Sequence, residues 1–273
     1  MTSQSPDPRA MGEAAKKIRS ARKIAVFTGA GISAESGIGT FRDDHDGLWT
    51  RFPPEEFANW DSLIQIAMET PTRAAEFFVA LLEPMVQARP NAGHHAVADL
   101  QPRVDTTVIT QNIDGLHEAA GSRAVHAIHG TLYETAYLDG APRGTIPRSV
   151  VASVVAELRA MSQESFSFEE LLAVAEPMMG VDVLGPYRPK IVLFGDQLAK
   201  PECTNAQRAA RECDCMLLIG TSGVVFPAST LPEMAREGGA TVIGVDPQPV
   251  DADIWLAGSA GSALPALVSA AFD

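Results

Sequence analysis

Short apolar runs recur along this chain at residues 23–27, 106–110, 124–128, 190–194, 215–219 and 241–245, each closed by polar or glycine residues. They are rich in β-formers and apolar at successive positions, so each predicts a strand buried on both faces. Helix-length segments separate them. That alternation predicts an α/β fold, a Rossmann-like parallel sheet with helices on both faces. Residues 11–21 predict a short amphipathic helix, with Ala14, Ala15 and Ile18 on one side and Lys16, Lys17 and Arg19 facing water. Two stretches break the alternation. Residues 43–89 carry helical patterns such as 72–82 and no strand, and residues 131–187 carry two more, 150–161 and 168–178, bounded by Pro147, Pro177 and Gly180. Both predict insertions that pack together as a smaller, mainly helical domain. The sheet domain then comprises residues 10–42, 90–130 and 188–273, the small domain 43–89 and 131–187, and the polar residues 1–9 a disordered tail.

In such sheets ligands sit beyond the carboxyl ends of the strands. The most chemically loaded residues follow the predicted strands: Gly29, Gln111, His129, Gly195, Thr221 and Asp246. Gly29, Gly31 and Ala34 fit the G-x-G-x-x-(G/A) spacing of a dinucleotide-binding turn, in which glycine permits a tight turn and close approach to a pyrophosphate. Glycine-rich turns also follow strands that bind nothing, but the continuation through Phe41 and Arg42 is not explained by a generic turn. Gln111, Asn112 and Asp114 suit the hydroxyls of a ribose and the carboxamide of a nicotinamide; a capped helix N-terminus uses the same residue types. His126 and His129 point in opposite directions from one strand. His129, next to Gly130, is placed to face a cleft, where a general base contributes about 10²–10⁴ in rate. Taken alone, a single histidine more often serves structure.

The net charge of −13 over 273 residues argues against a nucleic-acid-binding face and favours solubility or a cationic partner. No apolar stretch approaches the length of a membrane span, and the N-terminus lacks the apolar core of a signal peptide. Cys203, Cys213 and Cys215 form no disulfide framework, so a reducing cytoplasm is the expected setting, with neither membrane nor nucleic acid as partner.

Together these residues resemble the sirtuins, the NAD-dependent protein lysine deacylases. The likeness lies in Gly29-Ala30-Gly31-Ile32-Ser33 through Phe41-Arg42, Thr110-Gln111-Asn112-Ile113-Asp114, His129-Gly130, Arg188-Pro189 leading to Phe194-Gly195-Asp196, Gly220-Thr221-Ser222 with Pro227-Ala228, and Gly261 to Leu267. The resemblance runs from about Lys23 to Val268. It implies a nicotinamide pocket lined by Ala30, Ile38 and Asp114, and further cofactor contacts from Gly29, Gly31, Ser33, Gly220 and Thr221. It also implies ribose contacts from Gln111 and Asn112, phosphate contacts from Arg42 and Ser222, and Asp246 at the adenosine ribose. Phe41 would shield the ribose once nicotinamide has left, and His129, with Asn112, would be catalytic. Phe194, Gly195 and Asp196 would bind the acyl-lysine peptide, Gly195 and Asp196 pairing with its backbone as an added strand. In the implied mechanism the acyl oxygen of a modified lysine attacks the anomeric carbon and expels nicotinamide. His129 then lets a ribose hydroxyl attack the imidate carbon, giving free lysine and acyl-ADP-ribose. NAD is consumed and no hydride moves. In keeping with this, Trp49, Thr50 and Arg51 stand where a dehydrogenase-type turn is followed by an acidic residue.

The chain departs from the family in several places. Most sirtuins hold a structural zinc with two Cys-x-x-Cys pairs, whereas residues 131–187 contain no cysteine or histidine. No metal is therefore expected, with packing of 150–158 against 168–178 in its place and buried packing for Cys213 and Cys215. Gly39 and Thr40 replace a common Pro-Asp, and Ala34-Glu35-Ser36 with Thr40 resembles the branch that includes desuccinylases. That branch reads an acyl carboxylate with a Tyr-x-x-Arg pair ahead of Pro90-Asn91; Phe78 and Leu81 stand there, so neutral acyl groups are expected. Asp196 replaces a glutamate, and Asp246 a common asparagine. Two other readings use the same pocket: an ADP-ribosyltransferase or NAD hydrolase, and a non-catalytic NAD or ADP-ribose-binding module, against which an intact base argues.

Overall fold

The computed structural model describes residues 6–39, 48–162 and 165–273. In chain order the strands are β1 (Lys23–Thr28), β2 (Asp105–Thr110), β3 (Val125–Ala127), β4 (Gly130–Tyr137), β5 (Pro142–Thr145), β6 (Gly180–Asp182), β7 (Gly185–Ile191), β8 (Cys215–Ile219), β9 (Thr241–Asp246) and β10 (Ile254–Ala257). The helices are α1 (Pro8–Ser20), α2 (Leu48–Arg51), α3 (Pro54–Phe57), α4 (Trp60–Glu69), α5 (Pro71–Gln87), α6 (Ala92–Leu100), α7 (Leu116–Ala119), α8 (Arg148–Met161), α9 (Phe168–Ala175), α10 (Glu202–Glu212), α11 (Leu231–Glu237) and α12 (Ala260–Phe272). A 3₁₀ segment spans Ala30–Ser36.

One sheet is wholly parallel, in the order β10-β9-β8-β1-β2-β3, with β1 paired to β2 on one side and β8 on the other. Its strands bury both faces. Ile24 and Val26 join Leu217 and Ile219 in a core closed by Ala14, Ile18, Val97, Leu100 and Leu264 from α1, α6 and α12. Ala25 and Phe27 join Met216 and Leu218 in a second core under Ala206, Ala210, Leu231 and Ala235 of α10 and α11. Strand order reverses between β1 and β8, and that switch point opens a crevice beyond their carboxyl ends.

The remaining strands form an antiparallel sheet, β5-β4-β7-β6, which apolar periodicity did not reveal. β5 is exposed along its length, and β6 is three residues long, so pairing rather than patterning defines them. The run at 190–194 was expected in the parallel sheet. Instead only Lys190 and Ile191 are in a strand, the antiparallel β7, and Gly195 follows that strand. The four-residue β10 adjoins the apolar α12 and offered no contrast in pattern. At the N-terminus α1 starts at Pro8, capped by Asp7, whose side chain accepts from Arg9 N at 3.2 Å. Pro8 and Arg9 are therefore helical, and residues 1–5 lie outside the described residues.

α8 packs Val151, Val154, Val155 and Leu158 into a core with Leu82 and Met85 of α5, Leu171 of α9, and Met178. Arg148 donates to the carbonyls of Met85, Val86 and Ala88 at 3.0, 3.3 and 2.8 Å, satisfying the open end of α5. One side chain from each antiparallel strand meets in a polar clip. Asp182 accepts from Tyr137 Oη at 3.1 Å and Arg143 Nε at 3.0 Å, and the Arg143 guanidinium lies 3.6 Å from the Tyr187 ring centre. The Leu184 N–H, followed by Arg143, holds the Asp182 carboxyl below its ordinary range.

Candidate active site

The glycines at the switch point are required by backbone against backbone. Gly29 donates its N–H to Ile219 O at 3.0 Å and Gly31 to Gly220 O at 2.9 Å. A Cβ on Gly29 would lie 2.7 Å from Gly220 O, and one on Gly31 2.6 Å from Gly220 Cα. Gly29 itself is extended, with φ −121°, so its glycine is demanded by this approach rather than by a left-handed turn. Gly220, at φ +54°, needs glycine on both counts, since its Cβ would meet Gly31 at 2.6 Å.

The end of β2 feeds three side chains into the same place. Asn112 Nδ2 donates to Gly29 O and Ser33 Oγ, both at 3.1 Å, which leaves its side-chain oxygen without a partner among the described residues. Gln111 Nε2 donates to Thr221 Oγ1 at 2.8 Å. Asp114 is only 3 % exposed; its Oδ2 accepts from Ser33 Oγ at 2.7 Å and its Oδ1 from Leu116 N at 2.9 Å. Burial pushes its carboxyl above the ordinary range, against the pull of those two hydrogen bonds. One Asp114 oxygen thus closes the turn that leads into α7, whose N-cap is Gly115, and the other is held by Ser33.

Behind these residues lies a polar network that motif reading missed. Thr110 Oγ1 accepts from Asn112 N at 3.0 Å and from Thr28 Oγ1 at 2.9 Å, which leaves Thr28 to accept from His117 Nε2 at 3.0 Å. His94 lies edge-on to His117, with its Nε2 3.5 Å from Ser33 Oγ and its Nδ1 accepting from Asn91 N. Burial drives both imidazoles down, to about 4 for His94 and about 3 for His117, so both are neutral at pH 7. Asn91 Nδ2 in turn donates to Ile32 O at 2.7 Å and Ser36 Oγ at 3.0 Å, tying α6 to the 3₁₀ segment. The sequence signal for these was their spacing from the motif residues, which no periodicity singles out.

His129 sits between the two sheets. A carbonyl can only accept, so the 3.1 Å contact of His129 Nδ1 with Gln111 O places the proton on Nδ1 and leaves Nε2 as a free base. Burial lowers its pKa, and the Gln111 carbonyl opposes that shift. Val192 N donates to His129 O at 2.9 Å, linking the histidine to the segment that ends in Phe194, Gly195 and Asp196. Phe194 is 59 % exposed, and Gly195 has φ +94°. Asp196 faces its own scaffold: its Oδ2 accepts from Leu193 N at 3.1 Å and Trp60 Nε1 at 3.0 Å.

Ala30 opens the 3₁₀ segment, and Ile38 is buried beside Leu116. Ser222 is exposed next to the buried Thr221. Asp246 ends β9; its Oδ1 accepts from Gln248 N at 2.8 Å, and burial raises its pKa. Gly29, Gly31, Ser33, Gln111, Asn112, Asp114, Gly220 and Thr221 are thus joined directly, and His129 through Gln111. Ser222, Asp246 and Phe194 through Asp196 make no hydrogen bond to that group among the described residues. Phe41 and Arg42 lie outside the described residues. A separate cavity of about 380 Å³ opens at the amino ends of β1 and β2, lined by Lys23, Asp105, His126 and Arg208. It is at the wrong end of the sheet for this chemistry, and Lys23 already pairs with Glu212 at 2.8 Å.

Among the described residues no three His, Cys, Asp or Glu side chains gather as metal ligands. The residues of the small sheet do not fit the zinc that the resemblance would carry, since 131–187 offer no thiolate or imidazole donor and Asp182 is engaged by Arg143. Burial raises the Cys213 and Cys215 thiols to about 11 and 12, which keeps them protonated within the two cores. Among the described residues no helix is long and apolar enough to cross a membrane.

The model of the Sir2 family matches residues 29–227. An NAD-dependent protein deacylase of Mycolicibacterium paratuberculosis is 40 % identical over 250 residues, covering 90 % of this chain and 96 % of its own. A crystal structure of a Sir2 homologue with NAD superposes with a TM-score of 0.74 at 31 % identity, covering 94 % of this chain and 92 % of its own. Another similar structure, Sir2Af2 bound to a myristoylated histone peptide, has a TM-score of 0.70 at 27 % identity and covers 97 % of both chains. The buried carboxylate, the two amides and a glycine backbone with no room for a Cβ fit the carboxamide, ribose and phosphates of NAD.

Proposed function

Because this chain belongs to the Sir2 family and is an NAD-dependent protein lysine deacylase, we propose that the residues beyond β1, β2, β3 and β8 divide that reaction among them. NAD is consumed as co-substrate: its anomeric carbon loses nicotinamide, and a ribose hydroxyl carries the acyl group away as an ester. Asp114 accepts from the nicotinamide carboxamide, held by Ser33 and Leu116. Asn112 accepts from a ribose hydroxyl with its free oxygen, and Gln111, set by Thr221, supports the same sugar. Ala30 and Ile38 border the nicotinamide, Gly29, Gly31, Gly220, Thr221 and Ser222 border the phosphates, and Asp246 accepts from the adenosine ribose. His129 removes a ribose hydroxyl proton at Nε2, and Phe194, Gly195 and Asp196 carry the acyl-lysine peptide. The contact between His129 Nδ1 and Gln111 O carries this reading, because it leaves the base nitrogen free at the end of β3, next to the end of β2 that bears Asn112 and Asp114.

Phe78 and Leu81 lie on α5 between two apolar clusters, which supports neutral acyl groups as substrates, since a carboxylate there would lack a partner. The same reading assigns residues 10–42, 90–130 and 188–273 to the cofactor unit, and 43–89 with 131–187 to the unit facing it. Three free thiols suit a reducing, cytoplasmic setting.

The test is incubation with NAD and acetyl- or succinyl-lysine peptide. Acyl-ADP-ribose forms only with peptide, acetyl is preferred, and Asn112→Ala abolishes most turnover. Free ADP-ribose without peptide would instead identify NAD hydrolysis, and an unimpaired Asn112→Ala would remove that residue from the site.

A further inference from the structure

The loop that carries Phe194, Gly195 and Asp196 is mounted on a second element by contacts that the deacylation chemistry does not use. Phe194 N donates to Ala58 O at 2.8 Å, and Leu193 packs with Trp60 against the cluster of Phe52, Phe57, Leu63 and Phe77. Trp60 is the first residue of α4, whose start is set by Asn59 accepting from Ser62 N at 2.9 Å. From there its indole N–H reaches Asp196 Oδ2 at 3.0 Å, the oxygen that also accepts from Leu193 N. The other oxygen, Oδ1, faces Arg188 Nη2 at 3.5 Å, and the Arg188 guanidinium lies over the Trp60 ring, 4.1 Å from its centre. Arg188 belongs to β7, so three separate elements meet at one indole.

The pairing within this cluster is uneven. At 3.5 Å the Arg188–Asp196 contact is longer than a charge-assisted hydrogen bond, and Arg188 Nη1 is buried with no hydrogen-bond partner among the described residues. The indole face therefore adds to the compensation that the guanidinium receives for lost water. The indole also satisfies the carboxylate that closes the 193–196 turn. Removing it releases both partners together, while Gly195, at φ +94°, stays exposed at the tip.

We propose that Trp60 is a positioning residue for the peptide substrate, holding the 193–196 loop through Asp196 and Arg188 in the shape that pairs with the peptide backbone. The inference rests on the reading of Phe194–Gly195–Asp196 as the peptide-pairing loop.

Steady-state kinetics of the full-length enzyme with NAD and an acetyl-lysine peptide test it in three variants. Trp60→Ala removes the ring and the N–H, and raises the peptide KM about tenfold; Trp60→Phe keeps a π face and raises it about threefold. The KM for NAD and kcat at saturating peptide stay within about twofold in both. Peptide titration perturbs tryptophan emission in the wild type, and Trp60→Phe loses that change. An unchanged peptide KM in folded Trp60→Phe overturns the proposal, as does an equal rise in both KM values. Gly195→Pro isolates the underlying reading. If it leaves the peptide KM unchanged, the loop assignment itself fails and the role of Trp60 falls with it. If it raises that KM while the Trp60 variants do not, only the role of Trp60 fails.

Discussion

His129 owes its chemistry to two opposing influences on one ring. Burial disfavours the imidazolium, and the Gln111 carbonyl fixes which nitrogen keeps the single remaining proton. Because the first influence is the larger, the ring stays neutral to a lower pH than a solvated histidine does. The acid limb of kcat/KM should accordingly have its midpoint below 6.5, measured as a pH–rate profile with peptide and NAD. His129→Ala should lower turnover at least about 10²-fold with no change in the unfolding transition. Near wild-type turnover would remove it from the base role. Asp114 shows the complementary case, a carboxyl raised by burial yet restrained by Ser33 and Leu116. The two groups stand at adjacent strand ends in different environments, which suits the different roles proposed for them.

Elements meet at this site with little tolerance. The turn after β1 and the end of β8 approach so closely that side chains on either are excluded, as the 2.6 Å separations at Gly31 and Gly220 show. Gly220→Ala adds a left-handed penalty of about 1–2 kcal/mol to that collision. It should lower stability by at least that amount in denaturant titration and weaken NAD binding. α8 has a different task. Its apolar face fills the core of the small unit, where Leu158 is only 2 % exposed. Leu158→Ala should destabilise by about 2–5 kcal/mol, and EDTA should shift the transition of neither protein. A chelator-dependent loss of stability would show that packing is not what holds α8.

For the whole molecule, the buried imidazoles link stability to pH. The folded pKa values of His94 and His117, about 4 and 3, lie below the ordinary 6.5. Between pH 6.5 and those values the unfolded chain binds protons that the native one does not, so stability falls as the pH falls. Each ring contributes a loss on the order of 3 kcal/mol by about pH 4. Asp114, raised by burial, acts in the opposite direction over part of the acid range. Urea titrations at pH 7 and pH 4.5 should show the net fall, and His117→Gln should flatten it. An unchanged slope in that variant would place the proton uptake elsewhere.

Much of the fold and of the site was determined by the sequence alone. The strands at Lys23, Asp105, Cys215 and Thr241 follow from apolar runs that must be buried on both faces. The glycines, Gln111, Asn112, Asp114 and His129 follow from their place at the ends of those runs. Such signals are local, because periodicity and turn chemistry act over a few residues. Tertiary structure alone decided the rest. β5 and β6 exist only through their neighbours, and β10 only through β9. Gly29 and Gly31 are required by Gly220, nearly two hundred residues away, rather than by their own torsions. Asp196 was expected to meet the peptide through its backbone; where its side chain goes, closing its own turn beneath Trp60 and Arg188, only the tertiary structure decided. Burial makes the final difference. Desolvation is a property of the assembled molecule, and it sets the proton affinities of His94, His117, His129 and Asp114.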